Sequence, residues 1–202
     1  MPKAVYRGGG IRGPVAPPGR YTVELQAGEA RASGTIEIRR DPRLEATDAN
    51  LKEQFDLLMA IRDEITRVHE TVFRIRRTET AIQFYQEQAD TKGQETLAET
   101  ARASLERLHA LEAELHQVEA RSAKDLLNVP GKLAQRLASL SGAVAMGQAA
   151  PTTQMHAVHQ DLMGRMETLL AEVDAAFAGE VAAFERTLSE VNMPRLSSTA
   201  AP

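Results

Sequence analysis

The sequence predicts a mainly α protein, an antiparallel bundle of long helices preceded by a β-hairpin, and three observations carry that class. Aromatic residues make up 4% of the chain and Trp is absent, so the apolar content rests on Ala, Leu, Val, Ile and Met, the residues of helices packed side by side. Apolar residues recur at three- and four-residue steps over most of positions 51 to 191. Residues 16–43 break that period with two short alternating runs around a glycine.

The chain opens on a loop, because Gly8 to Gly10, Gly13, Pro14, Pro17, Pro18 and Gly19 let no regular element persist. In "GRYTVELQAGEARASGTIEIRR", Tyr21, Val23 and Leu25 alternate with Thr22, Glu24 and Gln26, and Ile36 and Ile38 alternate with Thr35, Glu37 and Arg39. Each strand therefore has one apolar face, and Gly28 centres the turn between them. Two strands alone are marginal in water, since they neither cover that face nor satisfy both edges. The hairpin needs partners.

Asp41-Pro42 ends the second strand, and Thr47 or Asp48 suits the N-cap of the first helix. Leu51, Phe55, Leu58, Ile61, Ile65, Val68, Val72, Ile75 and Ile82 then form one stripe with no Pro or Gly before Gly93. That is a helix of about 40 residues, some 60 Å at about 1.5 Å per residue. After "ADTKGQ", Leu97, Ala101, Ser104, Leu108, Leu111, Leu115, Val118 and Ser122 make an unbroken heptad seam, a coiled-coil pattern, with Glu112 on its polar flank. The sequence expects this second helix to run to "LLNVPGK".

Asn128 is then expected to cap a third segment, with Pro130 near its first turn and Leu133, Leu137, Leu140 and Val144 as its stripe. After "GQAAPTT", the stripe Met155, Val158, Leu162, Met166, Leu169, Val173, Phe177, Phe184, Leu188 and Val191 runs to "NMPRL". If the middle pair, 94–147, lies end to end, three rods of similar length result; the alternative is a four-helix arrangement with 130–147 folded back. Residues 1–43 read as hairpin and linker, 44–192 as the bundle and 193–202 as a disordered tail.

The formal net charge is -4, with a basic hairpin and acidic helices. Arg20, Arg31 and Arg39 fall on strand positions where a solvated face is expected, so no nucleic-acid partner is predicted. No apolar run approaches the roughly 18 residues of a membrane span, and "MPKAVYRGGG" lacks the apolar core of a signal peptide. The absence of Cys excludes disulfides and thiolate-ligated metals.

Four groups of residues bear on chemistry. Glu106-x-x-His109 resembles half of a carboxylate-bridged di-metal signature, but no second copy exists and Glu106 sits off the Leu105/Leu108 stripe. His156-x-x-His159 puts two imidazoles one turn apart, on a flank expected to be solvated. Arg67, Arg74, Arg76 and Arg77 are interleaved with Glu64, Glu70 and Glu79, a salt-laced helix face. Met155, Met163 and Met166 read as core filling. The glycines of "YRGGGIRG" lead into a strand rather than a helix, and no nucleophile elbow occurs. No catalytic, cofactor-binding or metal-ligating residue is therefore assigned.

Three stretches, "GPVAPPGRYTVELQAGEARASGTIEIRRDPR", "TDANLKEQFDLLMAIRDEITRVHETVFRIR" and "AAPTTQMHAVHQDLMGRM", together resemble the C-terminal part of large bacterial sortilin-type, BNR-repeat proteins, often labelled sialidase-like or glycosyl hydrolases. The resemblance implies an export signal, a β-propeller with Asp-box repeats, a small immunoglobulin-like sandwich and a helical tail. The propeller, its repeats and most of the sandwich have no counterpart here, and no active-site residue carries over. The hairpin would then be the last two strands of that sandwich, in a truncated gene, one with a misplaced start or a genomic fragment; the alternative is that Met1 is the true start and the hairpin packs on the bundle. The expected function is a non-catalytic accessory or assembly module of an exported propeller protein. Its partners would be the propeller and sandwich of the parent chain, or further copies through helical seams. The alternative is a self-standing coiled-coil adaptor for a partner helix.

Overall fold

The computed structural model describes residues 13–191 apart from 121, 123, 124, 126 and 127. The glycines at 8–10 and the predicted disordered tail at 193–202 lie outside the described residues. The protein is mainly helical, with a two-stranded antiparallel hairpin before the helices.

Strand β1 (Gly19–Ala27) pairs with β2 (Ala30–Ile38) across a two-residue turn that opens on Gly28 at φ 61, a backbone angle that favours glycine. Tyr21 faces Ile36, Val23 faces Gly34 and Leu25 faces Ala32, so the apolar side chains of both strands share one side. That side is uncovered: Val23 is 46%, Leu25 66% and Ile36 49% exposed. Neither strand contacts a helix.

The link to the bundle is Arg40, which donates to the carbonyls of Leu44 at 2.7 Å and Ala46 at 2.9 Å and pairs with Asp48 at 3.2 Å. Deleting residues 1–39, which spares this clamp, is expected to leave the thermal midpoint within a few degrees. In a chain of this size each kcal/mol shifts the midpoint by about 2–4 °C. A drop of about 10 °C or more in a calorimetric scan would mean that the hairpin supports the helices.

Helix α1 (Asp48–Lys92) begins at Thr47, whose hydroxyl accepts from the Asn50 amide at 3.2 Å while the Asn50 side chain accepts from the Thr47 amide at 2.9 Å. This is a capping box with Asn in the returning position. It ends at Gly93, φ 65. From Leu58 to Ile82 the stripe read from the sequence is buried, with Ile61, Val68 and Ile75 at 0% exposure, while Leu51 and Phe55 at its start are half-buried.

Helix α2 (Glu95–Leu115) buries the seam from Leu97 to Leu115 but stops there, short of the expected end. Val118 is 37% exposed and lies beyond the helix. The cause is a polar lock. His116 turns extended, at φ -142 and ψ 140; the Gln135 carbonyl oxygen accepts from the Gln117 amide at 3.2 Å, and Gln117 Nε2 donates to the Pro130 carbonyl at 2.8 Å. Backbone groups that another helical turn would satisfy are satisfied by side chains instead.

Helix α3 spans Leu133–Val144 with Lys132, not Asn128, at its N-cap position, so Pro130 lies in the preceding loop. Its far end meets the start of α1, where Gln54 Nε2 donates to the carbonyls of Val144 and Gly147.

Helix α4 (Thr153–Ala176) is capped by Thr152 and passes through a π-helical turn at Phe177–Val181 into α5 (Ala182–Glu190). The continuous path matches the long last helix expected. The sequence does not predict the π turn; Gly179 within it has weak helix propensity, and the buried Ser104 hydroxyl on α2 lies 2.9 Å from the Thr100 carbonyl and 3.0 Å from the Glu180 carbonyl, between which its one proton is shared. One aliphatic core joins all five helices. Helix α2 packs on α1, α4 and α5, α3 packs on α1 and α4, and α1 approaches α4 less closely.

Candidate functional site

The basic run on α1 is salt-laced and largely solvated, as the sequence predicts, but the partners of Arg67, Arg74 and Arg76 lie on other helices. Arg67 pairs with Glu167 at 2.9 Å and Arg74 with Asp174 at 2.8 Å on α4, whereas Arg76 turns to α2 and meets Glu112. Arg74 also lies over the Phe177 ring, 3.7 Å from its centroid. His156 and His159 both reach α1, His156 from a solvated position and His159 from an enclosed one. Their Nε2 atoms lie 3.1 Å from Glu53 and 2.9 Å from the buried Glu64. Burial pushes the Glu64 carboxyl up, and the bond to His159 opposes that rise. Met166 is fully buried, and Met155 and Met163 pack against the core as read.

Glu106 is exposed, so its pairing with His109 does not form an inward site. His109 instead comes together with Glu79 of α1 and Glu112 of α2, their ligand atoms all within 4.8 Å of one another. This is the one such trio among the described residues, and these side chains are the ones that could hold a metal. Sequence spacing misses it because Glu79 belongs to another helix.

The protein already supplies a cation there. Arg76 Nε and Nη2 lie 2.6 and 2.5 Å from the same Glu112 oxygen, and a metal taking that oxygen would have to displace the guanidinium. One turn on, the Gln135 amide donates to His116 Nδ1 at 3.1 Å, which leaves the ring proton on Nε2. Burial pushes the His116 pKa down, with Arg76 and His69 adding to the fall.

The arrangement suits holding α2 against α1. Burial first, and the Glu112 charge second, push the Glu79 carboxyl up. A carboxyl whose folded pKa is raised costs stability when ionised, and that cost fades as pH falls toward its unfolded value. Glu79→Gln is therefore expected to raise the thermal midpoint at pH 7, the gain vanishing below about pH 4, where an unfolded Glu is also protonated. A lowered midpoint at pH 7 would instead show that Glu79 holds a cation.

The second feature is a groove of about 1260 Å³ between α1 and the π turn with α5, where α1 and α4 diverge. Phe73, Ile82, Tyr85, Phe177, Phe184 and Leu188 line it, and Phe84 stands edge-on to Tyr85 with ring centroids 5.4 Å apart. Four of the five Phe in the chain thus gather at one place, while the rest of the core is aliphatic.

Comparison of the chain with protein-family models, curated proteins and solved structures gives no match in any of the three. The sortilin-type resemblance rests on the sequence motifs alone. No helix among the described residues is long and apolar enough to cross a membrane.

Proposed function

We propose that the chain is a non-catalytic assembly module, a helical spacer whose hairpin completes an immunoglobulin-like sandwich outside the bundle. The observation that carries this reading is the hairpin: a full apolar face at Val23, Leu25 and Ile36, uncovered, on strands that touch no helix. A ribbon of that kind gains stability from further strands or from a helix or sheet packed on its face, and no described helix supplies that cover. In the sortilin-type resemblance that sheet belongs to an exported propeller protein.

The spacer is an antiparallel bundle of three rods, with α2 and α3 end to end as the middle one. Two pairs favour α2 running back along α1, Asp90 with Arg102 and Arg76 with Glu112. The contact of Gln54 with the end of α3 extends the same direction. The bases upstream of codon 1 test the reading. An open frame encoding further strands and Asp-box repeats supports it, and an in-frame stop preceded by nothing of the kind overturns it. The aromatic groove favours a second reading, a self-standing adaptor for a helix.

A further inference from the structure

We propose that the groove between α1 and α5 is a self-association surface, on which a second copy of this chain docks its own α1 by a two-fold axis. The proposal rests on the reading of the chain as an assembly module and names the surface and occupant that reading leaves open.

The lining has the composition of an interface. Aromatic residues and Arg are the types enriched where proteins bind, and here Phe73, Tyr85, Phe177 and Phe184 sit beside Arg74, Arg77 and Arg186. At about 1260 Å³ the groove exceeds the roughly 300–1,000 Å³ of a small-molecule pocket and follows a helix axis. Its shape suits a helix laid along it.

The occupant follows from what the chain itself exposes. Among the described helices only α1 shows large aromatic side chains to solvent, Phe73 at 52% and Phe84 at 45%. They stand three turns apart on one face, about 16 Å along the axis. Phe73 also borders the groove, so the site and the side chains that would fill it belong to one patch. A patch containing both halves of a contact closes as an isologous dimer.

Charge points the same way. Glu70 and Arg77 on the α1 side, and Glu185, Arg186 and Glu190 on the α5 side, border the groove and form no ion pair among the described residues. A rim offering both signs unpaired is complementary to itself, and disfavours a partner of one charge sign.

Sedimentation of the intact chain over a range of concentrations tests this, with helix content checked by circular dichroism. The wild type is expected to show a reversible monomer–dimer equilibrium. Phe73→Glu and Phe84→Glu, each at an already exposed position, are expected to weaken it by about tenfold or more while leaving helix content unchanged. Phe84→Ser serves as a milder second variant should either Glu variant lose helix. Leu25→Asp on the hairpin should leave the dimer intact, which separates this surface from the sandwich-completing face. A wild type that stays monomeric to about 1 mM, the range of the weakest specific contacts, overturns the proposal. So does a dimer broken by Leu25→Asp and not by the Phe variants, or a groove that binds a foreign amphipathic helix while the chain remains monomeric.

Discussion

Leu111→Ala is expected to lower the free energy of unfolding by about 2–5 kcal/mol, the cost of emptying a leucine site in a packed core. Leu111 is 2% exposed and sits between Leu108 and Leu115, both at 0%, on the face of α2 that belongs to the shared core. The site has little freedom to collapse, because α2 packs on α1, α4 and α5. Urea melts at two protein concentrations measure the loss. The same loss at both marks the seam as interior to the monomer. A loss that disappears on dilution would make the seam an interface between copies, and the bundle would have to be redrawn.

Glu112→Ala is expected to cost a similar amount, about 3–5 kcal/mol, although position 112 reads from the sequence as polar flank, where a change costs less than about 0.5 kcal/mol. The structure reverses that expectation. The Glu112 side chain is 5% and that of Arg76 17% exposed, and removing the carboxylate leaves a guanidinium enclosed beside α2 with its partner gone. Replacing both, Arg76→Met with Glu112→Ala, should cost less than Glu112→Ala alone, because the enclosed guanidinium is no longer left without its carboxylate. A double-mutant cycle by urea denaturation reads the difference. Additive losses would show that Glu112 acts by packing and not through Arg76.

These two residues show what the chain discloses and what it withholds. Leu111 lies on a seven-residue repeat, a local pattern that the sequence alone makes visible, and the caps at Thr47 and Gly93 follow from the residue types that helix ends require. The role of Glu112 depends on Arg76, 36 positions earlier on another helix, and no spacing rule links them. The same holds for His159 with Glu64 and for His109 with Glu79.

The end of α2 departs from the sequence expectation for a related reason. Val118 and Ser122 keep the heptad, but Gln135 captures the Gln117 backbone and that local contact outweighs the repeat. The π turn is not legible either, because the contact it makes with Ser104 joins two helices whose register the sequence does not specify. The groove went unseen because Phe177 and Phe184 read as ordinary stripe positions, and only their convergence with Phe73 and Tyr85 of α1 makes a site.

On the proposed reading, the hairpin has no sheet partner among the described residues and serves a sheet outside them. Hydrogen exchange resolved by residue, on the intact chain at low protein concentration, tests it most directly. Amides within Tyr21–Leu25 and Ile36–Ile38 are expected to exchange nearly as fast as those of an unstructured chain, as a ribbon with one face in water does. Amides of α1 around Ile61–Ile82, whose side chains line the core, should exchange orders of magnitude more slowly. Strand amides as protected as those of α1 would show that the hairpin folds together with the bundle, and the assembly reading would lose the observation that carries it.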